Sequence, residues 1–347
     1  MVTNITNEAK AKWAEAIATK DPEKKLRLLK EFYSSFPKHK GTEKLEMSIK
    51  RQIKNLEEEL EVRRSKKTGS TLNIWSIKKE DTLQIALVGR LSSAIHFFKI
   101  LTGLDVKPYQ VLSSPVKGIF RSMNIRTQIV LTPIDEQIGE DKLDKLISIA
   151  RNADAILVYA DDKNYADKVI EYFNTRNIDI ISDKLKVEIE NTPHGGIRIV
   201  GNSSYINERS AVEFLQSFKI RNAIVKITSD ATMDDLEDAI FGRVAKKTLF
   251  INHGYNPVKF ENKEQLMEVI INRLGFIRVF TKKIGEEPEE EPLILEDGSR
   301  VYDLAKIIHK DFARNFKYAR VWRDGSAVKV GKDFMLNDMD IVELHAT

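Results

Sequence analysis

Four short segments of the chain, 83–89, 127–132, 155–160 and 248–252, each hold a continuous apolar run. Runs of that length and uniformity predict strands buried on both faces, as in the middle of a parallel sheet. Between them, 142–152 and 164–174 carry apolar residues at helical spacing. Strands and helices in alternation predict an α/β layer architecture. Upstream the period changes, and residues 1–68 read as helices. Asp21-Pro22 is a capping start. Leu26, Leu29, Phe32 or Tyr33, and Phe36 follow at helical steps until Pro37-Lys38-His39-Lys40-Gly41 breaks the run. Thr42 then caps a second helix with an apolar stripe of Leu45, Ile49, Ile53, Leu56 and Leu60. The pair predicts a helical hairpin with a basic tip, followed by the basic linker Arg63-Arg64-Ser65-Lys66-Lys67. Inside the α/β region, 194–201 reads as an inserted hairpin or small subdomain. Downstream, 276–347 reads as a separate α+β unit. A strand over 276–281 and an acidic turn over 286–291 precede a helix presenting Val301, Leu304, Ile308 and Phe312. Short strands over 319–322, 327–330 and 341–344 close it.

Composition narrows the picture. The chain has 347 residues, too many for one ordinary core, with 42% hydrophobic and 31% charged residues, a globular balance. The absence of cysteine excludes disulfides, thiolate metal sites and cysteine nucleophiles. No apolar run reaches membrane-spanning length, and the first residues lack a signal-peptide pattern, so a cytoplasmic protein without a membrane partner is expected. Richness in Lys, Glu and Ile without cysteine fits a thermophile. The net charge of +4 is small for this length, so any basic surface must be local.

The strand over 83–89 runs into a turn where a phosphate-binding loop, G-x-x-x-x-G-K-[ST], would stand. The chain reads Gly89-Arg90-Leu91-Ser92-Ser93-Ala94-Ile95-His96. Such a loop works because its glycines let backbone N–H groups approach the phosphates, its lysine meets their charge, and its hydroxyl ligates Mg²⁺. Ala94 adds a β-carbon at the point of close approach, Ile95 carries no charge, and His96 is a poor Mg²⁺ ligand. Gly89 then serves as a strand-to-helix turn. No pair among the six histidines has metal-ligand spacing. Asp135 and Glu136 read as a solvated loop, and Asp161-Asp162 as a helix-capping turn.

Three pieces carry a family resemblance. The segment 36–45 (Phe-Pro-Lys-His-Lys-Gly-Thr-Glu-Lys-Leu) resembles the hairpin tip of the DRG-type GTPases, the developmentally regulated GTP-binding proteins and their archaeal relatives in the Obg superfamily. The stretches 194–201, 218–223 and 230–236 are similar to their insertion. The segments 277–283, 308–312 and 316–322 resemble a TGS domain, a ubiquitin-like β-grasp. The resemblance implies a multidomain α/β fold. A helical hairpin (1–68) would precede a P-loop-NTPase-like parallel-sheet domain (69–275, with an insertion at about 184–226) and a β-grasp TGS domain (276–347).

Against that family the remaining nucleotide motifs are also altered. Leu131 stands where the metal-binding acid would lead the Asp-Thr-Pro triplet. Asn252-His253-Gly254-Tyr255 replaces N-K-x-D, so Asn252 remains while Tyr255 takes the place of the guanine-reading aspartate. Leu112-Ser113-Ser114 stands near the switch threonine, and Val258-Lys259-Phe260-Glu261 replaces the Ser-Ala motif. Charge-assisted hydrogen bonds contribute about 1.5–3 kcal/mol each. Loss of the lysine and both acids therefore removes roughly 5–9 kcal/mol, or roughly 10³ to 10⁶ in affinity. The expectation is a pseudo-GTPase without a cofactor; the alternative is GTP or GDP with Mg²⁺.

What remains is binding surface. Lys38, His39, Lys40, Lys44, Lys50, Arg51, Lys54, Arg63 and Arg64 line the hairpin tip and its following helix. In the family they imply contact with ribosomal RNA phosphates; a solvated helix face is the plainer reading. In the TGS unit, Lys310, Arg314, Lys317, Arg320 and Arg323 flank Phe316, Tyr318 and Trp322, a mixture that suits RNA or ribosomal protein. Tyr318 and Trp322 fit a β-grasp core equally well. The expected function is a non-catalytic ribosome- or RNA-associated factor in translation regulation or ribosome protection. Its partners would be ribosomal RNA and proteins, with a possible protein partner through the TGS domain. Two alternatives stand beside it: a ribosome-activated GTPase with an atypical site, and a protein-interaction scaffold without RNA.

Overall fold

The computed structural model describes residues 5–19, 21–35, 46–47, 49–50, 52–54, 56–57, 60, 75, 77–79, 82–182, 184–308 and 313–346. The chain divides into two compact units, each discontinuous in sequence: 1–74 with 168–246, and 75–167 with 247–347.

In the first unit, α1 (Asn7–Ala18) is capped by the Thr6 hydroxyl, which accepts from the amide of Ala9, and α2 (Pro22–Ser35) opens on the predicted Asp21-Pro22 start. The described residues between 46 and 60 are helical, with Ile49 and Leu60 buried. These helices do not close a core of their own. Trp13, Leu29, Phe32 and Ile49 share one cluster with Leu215, Phe218, Val225, Leu236 and Phe241, all of which come after residue 168. Trp13 meets Phe32 at 5.2 Å and Phe241 edge-on at 5.0 Å between ring centroids. The division at residue 68 drawn from sequence thus separates side chains that pack together, because hairpin and insertion each offer one apolar face and bury it on the other.

Two short strands, β5 (Ile178–Asp179) and β9 (Val244–Ala245), pair in parallel, and between them the insertion is a small sheet of β6 (Val187–Asn191), β7 (Ile197–Val200) and β8 (Ala223–Ile227) in the order β6-β8-β7, with α7 (Glu208–Ser217) and α8 (Met233–Ile240) against it. The strands β6 and β7 flank β8 and do not pair with each other, so the reading of 194–201 as a hairpin is corrected. Asn191 and Ile197 both lie opposite Ala223, one on each side of β8, and the chain between them crosses the strand's end.

The second unit holds the predicted α/β layers. Its first sheet has the order β10-β4-β1-β3-β2. The strands β1 (Leu83–Val88), β3 (Ile125–Leu131), β4 (Ala155–Tyr159) and β10 (Thr248–Ile251) run parallel, and β2 (Val116–Ser122) is antiparallel to β3. Every residue of β1 is buried, as a central strand covered on both faces requires. The helices α3 (Leu91–Thr102), α5 (Glu140–Asn152) and α9 (Lys263–Arg273) follow β1, β3 and β10. Phe97, Phe98, Leu266 and Ile270 complete the core with Ile85, Leu87, Ile129 and Leu157. The short α4 (Pro108–Ser113) precedes β2, and α6 (Lys163–Asn174) follows β4. This is the parallel-sheet arrangement expected of a P-loop-GTPase-like domain.

A second five-stranded sheet, β12-β11-β15-β13-β14, lies in the same unit. Its strands are β11 (Phe276–Thr281), β12 (Leu293–Glu296), β13 (Phe316–Arg323), β14 (Ser326–Val330) and β15 (Asp340–Ala346), with α10 (Val301–Ile308) against one face. Ile277, Val279, Leu304, Ala319, Val321 and Val342 form its own core, as the β-grasp reading expects. Among the described residues, no helix is long and apolar enough to cross a membrane.

Candidate functional site

The turn after β1 is where a triphosphate would be held, and it is short. The strand ends at Val88 and α3 begins at Leu91, leaving only Gly89 and Arg90 between them. Leu91 to Ala94 are therefore the first turn of the helix, and the amide of Ala94 already donates to the Arg90 carbonyl at 2.8 Å. Glycine is needed at 89 for space. A β-carbon there would lie 3.1 Å from both the Ala94 β-carbon and the Tyr159 carbonyl. Ala94 is fully buried and Ile95 packs on the core, while His96 is exposed on the helix surface.

The helix start is already occupied by a side chain. Arg90 stands at the N-cap position and makes no side-chain cap. Instead the carboxylate of Asp135, 44 residues away in the loop after β3, accepts from the amide of Leu91 at 2.9 Å and from the amide of Gln137 at 3.1 Å. A carboxylate at a helix N-terminus meets the unpaired amides and the positive end of the helix dipole, as a phosphate would. The same loop is tied to β1 by its backbone. Thr132 donates to the Leu87 carbonyl at 2.9 Å, and Ile134 donates to the Gly89 carbonyl at 3.0 Å. The solvated-loop reading of Asp135 is corrected on this geometry.

The positive charge beside the turn is neutralised too. The Arg90 guanidinium lies 3.3 Å from Asp161 and 2.9 Å from Asp162, and stacks 4.6 Å from the Tyr165 ring centroid. Ser93 donates to Asp161 at 3.0 Å. Asp162 does cap the start of α6, accepting from the Tyr165 amide at 2.7 Å. That hydrogen bond, helped by Arg90, holds its carboxyl below the usual range. Burial pushes the Tyr165 phenol far above its ordinary value, and its hydroxyl donates to the Ile134 carbonyl at 2.9 Å. Sequence reading missed this network because its members come from three loops far apart in the chain.

The other altered positions fit the same description. Leu131 is fully buried in the core, where an acid would need a partner. Asn252 ends β10 in the left-handed region at φ 67°, and its amide donates to the Val258 carbonyl at 3.2 Å. Gly254 sits at φ 124°, with Phe250 where a β-carbon would go, and Tyr255 is exposed. The residues present thus do not fit a magnesium triphosphate. The turn is too short to wrap phosphates, its helix amide is taken, and neither the lysine nor the metal hydroxyl has a replacement.

Among the predicted surface residues, Lys38, His39, Lys40, Lys44, Arg51, Arg63, Arg64 and Lys310 lie outside the described residues. Lys50 is paired with Glu46 at 2.9 Å and lies 5.6 Å from the Tyr33 ring. Lys54 is half-buried on the same helical stretch. In the β-grasp sheet the arginines divide. Arg323 forms a two-pronged pair with the fully buried Asp340 at 2.7 and 2.8 Å, so it belongs to the structure. Arg320 points to the opposite, exposed face, 3.7 Å from Glu343. Arg314 and Lys317 are both exposed. Tyr318 and Trp322 alternate with buried Ala319 and Val321 and so lie on the outer face, outside the core.

Residues 277–346 match the TGS domain family. An uncharacterized GTP-binding protein of Methanocaldococcus jannaschii is 26% identical, the match covering 93% of this chain and 92% of that protein. Developmentally-regulated GTP-binding protein 1 of Xenopus laevis is also 26% identical, over 69% of this chain and 75% of its own. Among solved structures, a GTP-binding protein from Pyrococcus horikoshii OT3 aligns at 15% identity and a TM-score of 0.39, over 76% of this chain and all of that one. This chain is thus a TGS-domain protein homologous to the DRG family of GTP-binding proteins.

Proposed function

We propose that this chain is a non-catalytic, ribosome- or RNA-associated factor that acts by occupying ribosomal sites, in translation regulation or ribosome protection. On this reading the α/β domain is a scaffold that has lost its grip on nucleotide. The observation that carries the proposal is the two-residue turn after β1, whose helix amide is held by Asp135. A switch needs that place free for a phosphate to enter and leave; here a carboxylate of the chain itself occupies it. A ribosomal partner places the protein in the cytoplasm.

A second reading is favoured by the homology. The relatives named above are GTP-binding proteins, which points to GTP or GDP with Mg²⁺ as cofactor and not to none. Under it, the turn would have to rearrange on a partner before nucleotide entered. Calorimetry with GTP, GDP and ATP, each with Mg²⁺, separates the two. The first reading expects no heat of binding; micromolar binding of guanine nucleotide would overturn it in favour of the second. Co-sedimentation with ribosomal subunits tests the partner, and binding should weaken steeply as salt rises. Lys38→Glu combined with Lys40→Glu should weaken it further by reversing charge. A scaffold that touches no RNA would stay at the top of the gradient.

A further inference from the structure

The outer face of the β-grasp sheet collects aromatic rings and cations outside the core of that sheet. Strand alternation puts Tyr318, Arg320 and Trp322 of β13 on that face. Across the ladders, His345 lies opposite Tyr318, Glu343 opposite Arg320 on one side, and Lys329 opposite Arg320 on the other. Tyr318 and His345 stack at 4.2 Å between centroids with 15° between planes. At the β11 end, Phe276 and Ile294 join the core of the first sheet, so the uncovered area is the part over β15, β13 and β14.

Resting on the RNA reading above, we propose that this face is a stacking platform for the unpaired bases of single-stranded RNA. Each large ring is topped by a lysine: Lys329 lies 3.9 Å from the Tyr318 centroid, and Lys282 lies 4.6 Å from the Trp322 centroid. A lysine on a ring face is held by a modest cation–π attraction on a flexible stem. It can yield the ring to a base and meet the phosphate beside that base, the pairing of stacking and charge by which single strands are bound. The acid on the face does not oppose a polyanion. Glu343 is 3% exposed and is engaged by Arg320 at 3.7 Å and His345 at 2.7 Å. Arg320 and Lys329 are exposed and Lys282 half-buried around the two rings, with Glu343, the acid between them, buried. An acidic peptide would use the cations but leave both rings without partners. Duplex RNA keeps its bases stacked on each other and offers none to the rings.

The test uses the full chain and a labelled single-stranded RNA of about 12 nucleotides, a length within the span such platforms engage. Binding should quench the Trp322 fluorescence. Tyr318→Ala and Trp322→Ala should each weaken binding roughly tenfold, whereas Trp322→Phe, which keeps a ring, should stay close to the parent. Lys282→Glu with Lys329→Glu should make the salt dependence shallower by a log–log slope of about 1.4, the value for two phosphates on a single strand. Equal affinity for a duplex, for a single-stranded DNA or for a polyglutamate peptide would overturn the assignment to single-stranded RNA. So would affinity unchanged by Trp322→Ala in a variant whose circular dichroism matches the parent. If the oligonucleotide fails while ribosomal co-sedimentation holds, the platform falls and the broader reading stands. If both fail, the broader reading falls with it.

Discussion

The second unit carries two clusters of charge and aromatic surface, and they are built on opposite principles. At the turn after β1, charges are matched from within. Arg90 meets Asp161 and Asp162, the α3 amide meets Asp135, and the Tyr165 hydroxyl meets the Ile134 carbonyl. On the outer face of the β-grasp sheet, Glu343 is buried while Lys282, Arg320 and Lys329 lie around two half-exposed rings. A site whose polar groups are already satisfied has little to gain from a ligand, because binding would exchange one set of hydrogen bonds for another. On that face Trp322 meets the Lys282 ammonium, and Tyr318 meets the Lys329 ammonium and the His345 ring, contacts that a base could replace or extend. On the proposed reading, the contrast assigns binding to the β-grasp face and a structural role to the turn after β1.

The largest expected effect separates the two arginines of β13. Arg323→Ala would leave Asp340 buried without its partner and should lower stability by about 3 kcal/mol in urea denaturation. Arg320→Ala should change stability by less than about 1 kcal/mol, since its guanidinium is half in water and the buried Glu343 keeps His345 at 2.7 Å. Equal losses would erase the distinction between a structural and a surface cation. Next is Asp135→Ala, which uncaps α3 from outside its own helix and should reduce stability by about 1 kcal/mol. A variant as stable as the parent would mean that the turn does not depend on its internal carboxylate. A smaller effect is expected from acid. The Asp162 carboxyl is depressed in the fold, so its contribution is present above the ordinary carboxylate value near about 4 and is lost as pH falls through the lower folded value. The melting difference between the parent and Asp162→Asn should therefore close at the acid end; a gap independent of pH would count against the network. The smallest response should come from grafting Ile95→Lys with His96→Ser. The triphosphate should still not bind in calorimetry, because the added groups sit on a helix that starts too early. Recovered binding would break the comparison outright.

Much of this architecture was legible from the chain. The strands at 83, 127, 155 and 248 were readable because burial on both faces leaves uninterrupted apolar runs, and the helix start at Asp21-Pro22 because its chemistry is local. The strands β2 and β12 were not, because a mixture such as Val-Lys-Gly-Ile-Phe-Arg-Ser carries no clear period. The joint core of Trp13 with Phe241 was out of reach for another reason. Periodicity says which face is apolar but not which distant face will cover it. At the candidate site, the losses at Ala94, Ile95, Leu131 and Tyr255 could be seen as missing chemistry. What replaced that chemistry could not, since the cap on α3 comes from 44 residues downstream and reads in isolation as an ordinary loop acid. On the β-grasp face, Lys282, Lys329 and His345 were overlooked because they join Tyr318 and Trp322 only through strand pairing.

The interleaved composition of the first unit governs how the protein can be made and cut. As the polypeptide emerges from its N-terminal end, Trp13 and Phe32 have to wait for Phe218 and Phe241 before their nonpolar faces are sealed. The helices α1 and α2 thus lack their packing partner until the segment carrying Phe218 and Phe241 has been made, a window in which a chaperone would be of use. For the same reason, trimming the molecule ahead of residue 75 would not yield a tidy shortened version. It would uncover a greasy patch around Leu215, Val225 and Leu236, and the product should clump.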